Sequence, residues 1–72
     1  MDVNIRKAIL TNIKDNSRDE LEATIVDAVQ DGQEKVLPGL GFLFELIWDQ
    51  ANEDERIDML NSLQKGVKNT MT

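Results

Sequence analysis

Apolar residues recur along the chain at helical spacing, in four runs separated by polar or turn-forming residues, and nowhere do they alternate strictly as in a half-buried strand. The first run, from about Val3 to Lys14, sets Ile5, Ala8, Ile9 and Ile13 on one side at i, i+3, i+4 and i+8. Asp2 stands where a cap is needed. The β-branched residues of this run are mediocre helix formers, so it depends on packing against the rest of the protein. Asp15-Asn16-Ser17 breaks the pattern. Ser17 followed by Glu20 is a capping box, in which the hydroxyl meets an orphan amide and the carboxylate reaches back to the cap. A second helix therefore starts at Arg18, buries Leu21, Ile25, Ala28 and Val29, and ends at Gly32, where a left-handed residue follows Asp31.

After a link from Gln33 to Leu37, Pro38-Gly39-Leu40-Gly41 reads as a turn, because Pro presets one backbone angle and Gly tolerates positive φ. A third helix follows. On a wheel, Leu40, Leu43, Phe44, Ile47, Trp48 and Ala51 span about 140° of arc opposite Glu45 and Asp49. Leu40, Leu43, Phe44, Ile47 and Trp48 are the expected core. Asn52 with Glu55 repeats the capping box, and the acids at 53 to 55 suit the positive end of a fourth helix. That helix carries Ile57, Leu60, Leu63 and Val67 inward, with the stem of Arg56 along them and its guanidinium in water. Gly66 reads as its stop, and Lys68 to Thr72 as a frayed tail. The fold expected is one all-α domain over residues 1–72, a small compact bundle of four short helices with the third at its centre.

Composition narrows the chemistry. With 72 residues and no Cys or His, neither a disulfide nor a Cys/His zinc site is available to stabilise the fold, which must rest on helix packing or on a second copy. The lack of thiols fits a reducing compartment. Arg6 and Lys7 precede only a short apolar run, too brief for an export signal. The greasiest stretch, Val36 to Trp48, is interrupted by Pro38 and Glu45 and falls short of the ~20 residues of a membrane span. These features describe a soluble intracellular chain. Its net charge of −6 repels phosphate backbones, and its basic residues form no stripe, so nucleic acid is not the expected partner.

Three groups invite a chemical reading. Glu45 and Asp49, one turn apart, are the best-placed acid pair for general acid–base work, but they also form the polar back of the third helix. No His, Cys or Tyr accompanies them, and the chain is too small to enclose a typical pocket of ~300–1,000 Å³. Asn52-Glu53-Asp54-Glu55 lacks the alternating ligands and central glycine of a calcium loop and is accounted for by capping. Gly39 and Gly41 precede a helix without GK[ST] or GxGxxG, so turn geometry and close helix approach explain them. No catalytic residue, metal ligand, cofactor or small-molecule substrate is expected.

Phe42 and Leu46 fall outside the expected core arc, as an i, i+4 pair beside Asp49. Either the first helix folds over them, or they are the partner-binding face, for which the simplest occupant is another copy of the chain.

The segment Val36-Leu37-Pro38-Gly39-Leu40-Gly41-Phe42-Leu43-Phe44-Glu45-Leu46-Ile47-Trp48 resembles the small acid-soluble spore proteins of the I type, which carry a segment of the form LPGLGxLFExIW. The similarity extends to Asn4-Ile5-Arg6 with Ala8-Ile9, to Leu21 through Gly32 with Glu34-Lys35, and to Met59-Leu60 with Leu63. It implies a minor protein of the developing forespore, held in the spore core, with no known biochemical activity. The major spore proteins that coat DNA belong to a different family, and nothing here resembles their DNA-binding segments. The resemblance thus implies a non-catalytic structural or interaction role in sporulation, with a homodimer or another spore-core protein as the partner. A nucleic-acid-associated spore protein is the alternative.

Overall fold

The computed structural model describes residues 3–70, which form four α-helices: α1 (Val3–Ile13), α2 (Arg18–Asp31), α3 (Leu37–Gln50) and α4 (Glu53–Thr70). No strand occurs among the described residues. Asp2, the expected cap of α1, lies outside them.

Local signals govern the joints. At the start of α2 the Glu20 amide donates to the Ser17 hydroxyl at 3.2 Å while the Ser17 amide donates to the Glu20 carboxylate at 2.9 Å. Hydrogen bonding to its carboxylate from Ser17, from the backbone amide foremost and from the hydroxyl second, holds the Glu20 carboxyl below its ordinary range, so the cap keeps its charge further into acid than a free glutamate would. Gly32 closes α2 at φ 66°, the one left-handed residue among those described. At the start of α4, Asn52 and Glu55 exchange the same pair of bonds, both at 2.8 Å.

Two expected joints are corrected. The 3₁₀ turn Glu34–Val36 winds directly into α3, so Pro38-Gly39-Leu40-Gly41 is its first turn rather than a separate loop. Proline suits that position, because a first-turn residue needs no amide hydrogen to donate. The fourth helix does not stop at Gly66 but continues to Thr70, whose hydroxyl donates to the Gly66 carbonyl at 2.8 Å. Only residues 71 and 72 of the expected tail fall outside the description. A glycine ends a helix by adopting positive φ, and Gly66 does not.

Gly39 and Gly41 likewise have ordinary φ, and a Cβ at either would meet nothing within 4 Å. Neither turn geometry nor close approach within the chain requires them. Gly39→Ala with Gly41→Ala is therefore expected to raise stability by about 0.5–1 kcal/mol per site, read as a higher melting temperature at micromolar protein. A lower melting temperature would mean that something outside the single chain comes close to this surface.

α3 is the centre of the arrangement, with α1 packed on it and the 3₁₀ turn tying α2 to it. The packing is open. The Cα radius of gyration is 13.4 Å, against about 11 Å expected of a compact chain this long. Phe42 is the one buried side chain among the described residues, at 7% exposure.

Candidate interaction surface

The surface is organised by which side of α3 its neighbours cover. Phe42 points toward α1, where the Arg6 guanidinium lies 5.8 Å from its ring centroid. The same Arg6 pairs with Glu45 at 2.5 Å, one helical turn along α3 from Phe42. Cation over ring and cation beside carboxylate thus fix α1 across α3 with a single side chain. The bond to Glu45 raises the Arg6 pKa above its already high ordinary value, so the guanidinium is charged at any working pH.

Of the two readings open for Phe42 and Leu46, the structure realises the first for Phe42: the first helix covers it. As a partner face in the folded chain, Phe42 is corrected to an internal residue. Leu46 remains at the edge, 36% exposed, beside a hollow it shares with Leu10, Leu21 and Ile25. Glu45 is corrected as well, from the solvated back of the helix to the ion-pair partner of α1. Its carboxylate is committed to Arg6.

The expected core divides. Leu40, Leu43 and Trp48 are half-buried, but Phe44 and Ile47 are each 47% exposed. On the wheel Phe44 lies about 160° from Phe42, so α1 and α2 cannot cover both. Apolar residues occupy more of the circumference of α3 than its neighbours can bury. That excess is the sequence signal for an open surface, and it does not by itself say which side of α3 stays open.

The uncovered side of α3 faces the corner with α4. Phe44 stacks on Trp48 with ring centroids 5.9 Å apart, and the Arg56 guanidinium sits 5.0 Å from the Trp48 centroid while its Nε donates to the Trp48 carbonyl at 3.0 Å. Arg56 does not reach into water as expected, because the ring face and the last carbonyls of α3 both attract its charge. Beyond this corner the stripe of α4 is open: Ile57, Leu60, Leu63 and Val67 are each about half exposed. A groove of 620 Å³ between α3 and α4 is lined by Phe44, Ile47, Met59 and Leu63.

A second groove of 440 Å³ lies where α1, α2 and the start of α3 meet. Its volume falls within the usual range of ligand pockets, but the chain does not enclose it. It is a trough open to solvent, lined by Ile5, Ile9, Leu40 and Leu43, with Thr24 and Lys35 as its polar side chains. Among the described residues no group of three or more acidic side chains is arranged to hold a metal ion, and no helix is long and apolar enough to cross a membrane.

The family model described as small, acid-soluble spore protein I matches residues 3–67. A protein of that name from Bacillus cytotoxicus is 58% identical over 69 residues, covering 96% of this chain and 99% of the relative. The Bacillus licheniformis protein of that name is 54% identical over 68 residues, with 94% and 97% covered. That of Bacillus subtilis is 53% identical over 68 residues, with 94% and 96% covered. No solved structure matches the chain.

Proposed function

The chain belongs to the small, acid-soluble spore protein I family, and from this premise we propose that it works within the spore core by surface contact and without catalysis. The observation that carries the reading is the open apolar face of Phe44, Ile47 and the α4 stripe. Exposed apolar area on this scale is a feature of surfaces that meet another protein. The acids support the same reading. Glu45 is held by Arg6, while Glu20 and Glu55 close helix ends, so the carboxylates with defined partners serve the fold.

The rival reading, a nucleic-acid-associated protein, differs in its electrostatics. Binding to duplex DNA needs lysine and arginine to displace counterions. Here the net charge is −6, and Arg6 and Arg56 are both engaged within the chain. The intact protein at micromolar concentration is expected to leave duplex DNA unretarded in a low-salt gel. Retardation that fades steeply as salt rises would overturn the contact-only reading in favour of the rival.

A further inference from the structure

We propose that α4 pairs antiparallel with α4 of a second copy of this chain, about a two-fold axis near Leu60 and Asn61. This rests on the interaction reading above and names its partner.

Two independent features of α4 select a second copy. The first is the stripe of Ile57, Leu60, Leu63 and Val67, which the single chain leaves about half exposed, at 48% to 56%. The second is charge order. The helix opens with Glu53, Asp54 and Glu55 and carries Lys65 and Lys68 toward its end. Parallel pairing would set acids against acids and lysines against lysines. Antiparallel pairing reverses both and opposes the two helix dipoles favourably. The surface is then self-complementary, as an isologous two-fold contact requires.

The register is specific. With the axis between Leu60 and Asn61, Glu53 of one copy comes level with Lys68 of the other, twice over. On the wheel Glu53 and Lys68 lie to the same side of the stripe's midline, about 60° apart, and residues to the same side meet across an antiparallel pair. Leu60 of each copy meets at the axis. Phe44 and Ile47 of α3 extend the apolar surface beside the stripe across the groove they share with Met59 and Leu63. A helix about 27 Å long offers less than the ~800 Å² per partner of a standard interface, so the association is expected to be reversible and of modest affinity.

Sedimentation equilibrium of the intact protein, from about 10 micromolar to about 1 millimolar, tests this against a range suited to a small interface. The expected result is a monomer–dimer equilibrium. Leu60→Glu should raise its dissociation constant by about 100-fold or more, since it sets two charges against each other at an apolar axis. Circular dichroism should show the helix content of that variant unchanged, because Leu60 is half exposed in the single chain. Lys68→Glu alone should weaken the dimer several-fold, and adding Glu53→Lys should restore it. That rescue follows from the antiparallel register. A monomer throughout the range would overturn the proposal. A dimer that ignores Leu60→Glu but is broken by Leu46→Asp would overturn the α4 interface while leaving self-association standing. Failure of the contact-only reading would appear separately, as DNA retardation.

Discussion

Replacing Phe42 by alanine is expected to lower stability by about 3–5 kcal/mol, the range for emptying a buried aromatic site. Phe42 is the only described side chain with as little as 7% of its surface exposed, and Arg6 of α1 rests on its ring. Truncation removes the ring contacts and the surface on which the guanidinium sits, leaving the Glu45 pair to hold α1 alone. A core this small supplies roughly 3–5 kcal/mol in total, so the variant should be largely unfolded at room temperature. Phe44→Ala is the informative control. Phe44 is 47% exposed, and its loss should lower stability by no more than about 1–1.5 kcal/mol in dilute solution. Urea unfolding followed by circular dichroism at micromolar protein ranks the two. The wheel reading places Phe44 in the core, and its alternative with Phe42 at a partner face gives the opposite order. Finding that order would show that α1 does not cover α3 as described.

The contrast between these two phenylalanines shows what could be read from residues alone. The capping boxes at Ser17 and Asn52 and the left-handed Gly32 involve groups within four residues of one another, and local chemistry decides them. The existence, order and approximate extent of all four helices follow from the same local signals. The orientation of α3 does not. Its circumference is apolar on both the Phe42 and the Phe44 sides, so its own sequence allows either to face inward. The choice is made by Arg6, 39 residues upstream of Glu45, which carries the cation that ties α1 to the Phe42 side. No periodicity argument contains that contact. Pro38 misled for a related reason: Pro and Gly together signal a turn, yet the same residues are tolerated in the first turn of a helix, and the preceding 3₁₀ turn leads straight into one. The consequence reaches the proposed contact surface. Once α1 takes the Phe42 side, the Phe44 and Ile47 side is left open, and the face available for contact moves from Phe42 to the corner between α3 and α4.

That corner is held by Arg56, and Arg56→Ala is expected to lower stability by about 1–3 kcal/mol, the combined scale of a charge-assisted hydrogen bond and a cation–π contact. Three interactions depend on the side chain: the 3.0 Å bond from Nε to the Trp48 carbonyl, the guanidinium 5.0 Å from the indole centroid, and a positive charge at the carbonyl end of α3. Arg56→Lys separates them. It keeps the charge but loses the planar group that can lie on a ring while its edge donates to a carbonyl, so it should recover less than half of the lost stability. The chain has a single tryptophan, Trp48, and its fluorescence therefore reports this corner without interference. The alanine variant should show red-shifted emission and greater quenching by acrylamide, with lysine in between. Because these contacts tie the start of α4 to the end of α3, loosening Arg56 should also free the α4 stripe from its fixed angle to Phe44 and Ile47. An unchanged spectrum and an unchanged urea midpoint in the alanine variant would mean that the last turn of α3 and the first turn of α4 hold their angle through their backbones alone.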